Sequence, residues 1–415
     1  MRENAKWLIF CRFCQSLLQM AAGMLVARYL GPVAYGHLGY AASVAAFAVP
    51  VAQLGLNATL VQELGERPGR EGEVLGTALG MQMLSGFACL PAVVLFSLAA
   101  KPGAWETAAV CGLYGTSLVF QTGELLRFWF HARSRMKISA SAALVVGAAV
   151  FLYKLVSMAG GKDVRWFAVA HSLESCLLGM VLRVCYRKAG GGKLIFSREM
   201  GRMLLSKSRS YIAAGMMTVV FHNTDHVMLT LLAGEAENGY YTAAMTCAGA
   251  AGFVYNSILD AARPEILAAG RCSTRELEAA LVRLYRLMLG LALLESVAVS
   301  ALAKPLIHFL YGKDYLPAGT VLRVLVWYLG FSYMGSVRNL WILAEEKHGC
   351  LWIINLGMAL GNILLNVLLI PIWGAAGAAA ASVLTQFAGN FMPGFFWKPL
   401  KENQKLLLRA MGRRR

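Results

Sequence analysis

The sequence predicts an all-α integral membrane protein: twelve transmembrane helices in two parallel six-helix bundles around a central cavity. Three observations carry that prediction. Of 415 residues, 58% are hydrophobic and 15% charged, where a soluble protein of this size carries about a quarter charged; mean hydropathy is +0.56. Apolar runs long enough to cross a bilayer recur from end to end. A pattern in residues 25–42 also returns in residues 228–245, about half a chain length later.

Apolar runs bounded by Gly, Pro and charge place the spans at 7–27, 37–61, 74–100, 105–130, 138–158, 164–186, 208–233, 239–262, 284–311, 319–344, 350–371 and 374–397. The first run has no small-residue cleavage site and a second follows it at once, so it reads as a span and not a signal peptide. The second and eighth runs are rich in Ala, Gly and Ser, which suits helices facing protein or water. Residues 187–207, with "AGGGK", read as a linker between an N-terminal bundle, 1–186, and a C-terminal bundle, 208–397; residues 398–415 form a basic tail. The glycine triplet lacks G-x-x-x-x-G-K-[ST] and follows a span instead of a strand, so it is no phosphate loop. Cys11 and Cys14 share one helix face and read as small packing residues, not as a redox pair.

Net charge is +17, and its placement argues against nucleic acid as partner. With the N-terminus inside, 27 of the 39 Lys and Arg fall in inner connections, six in outer ones and six within spans. That asymmetry predicts cytoplasmic termini and basic flanks near anionic membrane lipids.

"LVARYLGPVAYGHLGYAA" superposes on "MLTLLAGEAENGYYTAAM" at an offset of 203, with Gly31 on Gly234 and Gly36 on Gly239. Both copies join an outward-going span to the next one, so the halves run parallel, an arrangement transporters use to frame a cavity.

Ionisable residues inside spans are costly and usually face a cavity or a partner. Glu124 and Arg127, i and i+3 on one helix, either pair with each other near the inner mouth or contact substrate. Glu174 stands one turn after His171 and is expected to be satisfied by it. Asp260 and Arg338 lie near inner ends and are expected to reach water. Arg12, Lys154, Asp225 and Arg323 are harder to explain in that way and are candidate lumen groups, with Gln53 and Asn223 among the neutral donors and acceptors on the spans.

His222, Asp225 and His226, in "HNTDH", share a helix face at a spacing that metal sites also use. A zinc site needs a further ligand, and the other histidines are scattered at 37, 131, 171, 308 and 348. The segment therefore reads as a pH-sensitive polar face; no metal, cofactor or catalytic residue is expected.

Four stretches resemble one family. "ARYLGPVAYGHLGYAAS", with Arg28, Gly31 and Gly36, is similar to the ARYLGP-x-x-YG signature of the polysaccharide flippases of the multidrug/oligosaccharidyl-lipid/polysaccharide exporter superfamily. "WFHARSRMKISA" resembles that family's link between spans four and five, with His131-Ala132 where Gln-Gly is common. "NTDHVMLTLLAGEAENGYYTAA" is similar to its span-seven Asp and following turn, with Asn238 where Val is usual. "NVLLIPIWGAAGAAAASVLTQ", with Pro371, Gly374 and Gly377, resembles its link between spans eleven and twelve.

The resemblance implies a carrier that moves polyprenyl-diphosphate-linked oligosaccharide repeat units from the inner to the outer leaflet of a bacterial cytoplasmic membrane by alternating access, for surface polysaccharide export. It also implies a polysaccharide polymerase and chain-length machinery as partners, and a coupling cation, proton or sodium. A cationic lumen suits an anionic diphosphate, and Arg offers it a bidentate fork. The competing expectations are a drug or cation antiporter, which would favour an acidic lumen; a peptidoglycan-precursor flippase, commonly of fourteen spans; and a polysaccharide polymerase or ligase, which would need a large outer loop.

Overall fold

The computed structural model describes residues 2–412 apart from 68, 251 and 348; His348 and the "RRR" end of the basic tail lie outside the described residues. Among the described residues every regular element is helical. Seven segments are long and apolar enough to cross a membrane. Two of these turn at a glycine and hold two spans each: Phe10–Ala52 at Gly31 and Gly349–Phe396 at Gly374. Residues 105–132, Arg198–Leu232 and residues 235–272 are less apolar and complete the twelve. Contacts divide the chain into two compact units, Met1–Val227 and Met228–Arg415.

The internal repeat extends to the backbone. Gly31 has φ 76, ψ 172, and Gly234 has φ 96, ψ 175. A side chain would be strained in that region, so glycine is needed at both corners. Pro32 follows Gly31 and begins the next span, which its fixed φ favours. Arg28 is exposed one turn before that corner.

In the first unit, two spans depart from regular helix. Span 2 is not continuous over 37–61: it breaks at Gln53–Gly55, where Leu54 (φ 52) and Gly55 (φ 62) are both left-handed. Pro50 and Gly55 flank the break in the sequence, and Gly55 lies against the backbone of Ser208 and Ile212, too close for any side chain. Span 4 changes winding at Gln121–Leu125, a 3₁₀ segment between two α-helical stretches. There Gly123 packs Cα to Cα on Gly179 of span 6, a crossing only two glycines permit.

The stretch 187–207 is less of a loop than its charges suggest. Helix begins at Arg198, so "REMGRMLLSK" extends span 7 by ten residues. Met200, Leu204 and Ser208, at i, i+4 and i+8, are buried while Arg198 and Arg202 stay exposed, the stripe of a surface helix. Residues before it lie across the start of span 3: Ile195 N–H donates to Gly72 O at 3.2 Å and Ser197 N–H to Thr77 Oγ1 at 2.9 Å. Gly72, Gly76 and Gly80 form the groove that receives them. Lys207 of span 7 and Arg67 both bind the fully buried carboxylate of Glu63, Arg67 at 3.0 Å.

The same end of the unit holds a knot around Trp129, which has no exposed surface. Its Nε1–H donates to Glu71 Oε2 at 2.6 Å, and Arg133 grips the same carboxylate at 2.9–3.3 Å while covering the indole ring. Tyr186 meets the indole edge-on at 4.9 Å and donates its hydroxyl to Gly192 O at 3.0 Å. The "WFHARSR" link is thus a structural clasp between spans 3, 4 and 6.

In the second unit, Gly374 (φ 55) turns span 11 into span 12, and Glu237 accepts the Ala375 N–H at 2.6 Å, a carboxylate at the positive end of a helix. Gly377 lies against the Leu369 backbone, where a Cβ has no room, and Pro371 is exposed just before the corner. Gly239 is buried in the turn after Gly234. Arg338 does not reach water as expected: it is 4% exposed, donating to Gly389 O at 2.7 Å and Asn339 Oδ1 at 3.1 Å. The carbonyl and amide give the guanidinium the partners that make its burial tolerable. Gly374→Ala is expected to lower the stability of the purified protein by about 1–3 kcal/mol through backbone strain, and by more through collision with Glu237; thermal unfolding in detergent measures it. Gly357→Ala, helical, exposed and with open space around it, is the control expected to be neutral.

Candidate functional site

The two irregular stretches of the first unit meet. The break in span 2 presents Gln53 to the 3₁₀ segment of span 4, where Gln53 Nε2–H donates to Gln121 Oε1 at 3.2 Å and Asn57 donates to Gln53 Oε1 at 2.8 Å. In 3₁₀ winding residues i and i+3 eclipse, so Gln121 and Glu124 point the same way, into a cavity of about 870 Å³ inside the unit.

Its lining is polar on every wall. Span 1 contributes Arg12, Gln15 and Gln19 at i, i+3 and i+7, one helix face. Span 4 adds Gln121, Glu124, Arg127 and His131; span 5 adds Ser139 and Lys154; span 6 adds His171, Glu174 and Ser175. Ser139 and Lys154 lie fifteen residues apart on one helix, so the track runs roughly 22 Å along the unit at 1.5 Å per residue.

Three cationic side chains, Arg12, Arg127 and Lys154, face two carboxylates. Glu124 pairs with Arg127 at 3.6 Å, as their spacing allows. Lys154 lies within electrostatic reach of Glu174 across spans 5 and 6. His171 stacks on Tyr114 at 4.4 Å, so it is an aromatic shelf and not the partner expected for Glu174. Arg12 forms no ion pair among the described residues and is exposed to the cavity. Behind the wall, Thr116 and Ser172 both donate to the Leu113 carbonyl, at 2.8 and 2.9 Å, tying span 6 to span 4.

Of the residues singled out by sequence, the structure brings Arg12, Lys154 and Gln53 to this track. Asp225, 6% exposed, and Asn223, which donates to Val219 O of its own helix at 3.2 Å, lie on span 7 and do not line it. Arg323 stands exposed on the second unit, its carbonyl accepting from Ser300 at 3.3 Å. His222 is exposed and His226 half-buried; among the described residues no group of three His, Cys, Asp or Glu is placed to hold a metal. Gln121 and the role of Glu174 escape the sequence reading. The signal for Gln121 was its i, i+3 relation to Glu124, which gains meaning only with the 3₁₀ turn.

Twelve helical spans in two units, with a polar track inside one of them, define an all-helical multi-pass membrane protein. Residues 1–269 match the family described as polysaccharide biosynthesis protein, and the chain belongs to that family. Among solved structures it is similar to the lipid II flippase MurJ (TM-score 0.74, 16% identity, 97% of this chain and 90% of that one). It is also similar to a multidrug resistance MATE family transporter of the MOP superfamily (TM-score 0.75, 14% identity, 95% and 96%). At these identities the likeness is one of fold. No curated protein matches the chain by sequence.

Proposed function

We propose that the chain carries polyprenyl-diphosphate-linked oligosaccharide repeat units from the inner to the outer leaflet of a bacterial cytoplasmic membrane by alternating access. In this reading both termini are cytoplasmic, the bundles 1–186 and 208–397 are the moving halves, and residues 187–207 and 398–415 are basic flanks. A polymerase with its chain-length machinery receives the product, and a proton or sodium ion couples the cycle. The family membership supports the cargo class. The observation that carries the reading is the track: its cationic excess suits a diphosphate, and its four glutamines suit sugar hydroxyls, which need neutral donors and acceptors. An acidic, aromatic track would suit a drug cation better.

Proteoliposomes loaded with fluorescent polyprenyl-diphosphate oligosaccharide test it, with quenching by an impermeant reductant as the readout. Protein-dependent translocation of this lipid is expected, with slower movement of lipid II and none of a cationic dye. Faster movement of lipid II, or dye efflux without lipid movement, would overturn the cargo assignment.

A further inference from the structure

We infer that the second unit holds a binding site for an anionic phospholipid headgroup, formed by Arg275, Arg283 and Arg286 of the helix Thr274–Tyr311 and Arg409 of the terminal helix Lys401–Ala410. A cavity of about 440 Å³ lies between these two helices, and its charged lining is four arginines against one carboxylate, Glu278. Glu278 is already engaged by Arg409 at 2.8 Å. Among the described residues neither Arg275 nor Arg283 has a carboxylate partner. Like charges gathered in so small a space repel, and a phosphate is the anion whose geometry matches the guanidinium fork.

The cavity is built and not an accident of loose side chains. The terminal helix is anchored by buried Leu406 and Leu407, and Tyr285 and Asn403 bond each other at 3.1 Å. Arg286 donates to the Arg409 carbonyl at 3.4 Å, closing the far wall. The two helix backbones, and with them the positions from which the four arginines project, are therefore fixed before any ligand arrives, which lowers the ordering cost of binding.

The occupant is a lipid because of what lies above the arginines. Arg275, Ala279 and Arg286 share one stripe of their helix, and the stripe continues through Leu293 and Val297, 58% and 54% exposed, on a segment apolar enough to cross a membrane. Leu293 lies seven residues beyond Arg286, roughly 10 Å at 1.5 Å per residue. A phosphate on the arginines thus places acyl chains along an apolar, unobstructed helix face, as basic pockets at the membrane boundary do for anionic lipids. This site lies within the second unit and does not depend on the cargo of the first.

Native mass spectrometry of the detergent-purified full chain, titrated with phosphatidylglycerol, phosphatidylcholine or inorganic phosphate, tests the assignment. Phosphatidylglycerol is expected to add one tightly retained molecule that phosphatidylcholine does not displace. The double variant Arg275→Gln/Arg283→Gln, both exposed, should weaken it roughly 30-fold, at about fivefold per charge, and Arg275→Lys/Arg283→Lys should recover part. Circular dichroism reports whether the Gln variant is folded, and the Lys variant carries the test if it is not. Equal retention of phosphatidylcholine, unchanged binding in the Gln variant, or full competition by millimolar inorganic phosphate would overturn the lipid site.

Discussion

Arg12→Gln and Lys154→Gln are each expected to cut transport of lipid-linked oligosaccharide about ten- to a hundredfold while leaving protein levels in the membrane near wild type. The magnitude is that of one charge-assisted contact to an anionic cargo, about 1.5–3 kcal/mol. Arg12 faces the cavity with no ion pair among the described residues, so neutralising it strands no buried carboxylate. Lys154 is different, because Glu174 lies within its electrostatic reach. Lys154→Gln alone also leaves that carboxylate uncompensated, a second route to lost transport. The double variant Lys154→Gln/Glu174→Gln separates the causes. If Lys154 binds cargo, the double variant stays impaired; if it only neutralises Glu174, transport returns. Normal transport by both single variants would remove the track from the mechanism.

Trp129→Ala is expected to be the most destabilising substitution in the first unit, by about 3–5 kcal/mol from the cavity alone. The side chain is wholly buried against Phe130 and Tyr186, and its loss also frees one oxygen of Glu71 from its 2.6 Å bond. Thermal unfolding followed by size-exclusion of the detergent-solubilised protein measures the shift. Trp129→Phe should recover much of the packing but not the bond to Glu71. An Ala variant melting within a degree of wild type would mean that the clasp of spans 3, 4 and 6 does not hold the unit.

The architecture was legible because lipid imposes a one-dimensional rule: length of apolar run, then charge. The corner glycines 31, 234 and 374 were legible because positive φ restricts residue choice. The track was only half legible. Arg12, Lys154 and Gln53 announce themselves as polar groups inside spans, whereas their convergence needs the break at 53–55 and the 3₁₀ turn at 121–125, and neither has a periodic signature. Glu63, Glu71 and Glu237 carry no local signal at all, because their partners lie 144, 58 and 138 residues away. Arg338 was misplaced for the same reason: a partner from span 12 makes its burial affordable, and hydropathy along the chain cannot show that partner. Residues 198–207 read as linker because seven of the twelve residues from Ser197 to Ser208 are Arg, Lys, Glu or Ser, while the buried stripe is only three residues, Met200, Leu204 and Ser208.

The 3₁₀ segment of span 4 has one further consequence, which concerns torque. Over five residues, 3₁₀ winding advances about 2.5 Å further and turns about 100° more than α winding would. Rewinding Gln121–Leu125 into α-helix would therefore shorten the span by about half a turn's rise and rotate everything beyond it by more than a quarter revolution. Gln121 and Glu124 would no longer be eclipsed, and the contact between Gln53 and Gln121 would be broken. The crossing of Gly123 on Gly179 puts no side chain in the way of such a rotation and acts as a bearing for it. Span 4 thus carries its swivel at the level where Gln121 and Glu124 line the cavity wall.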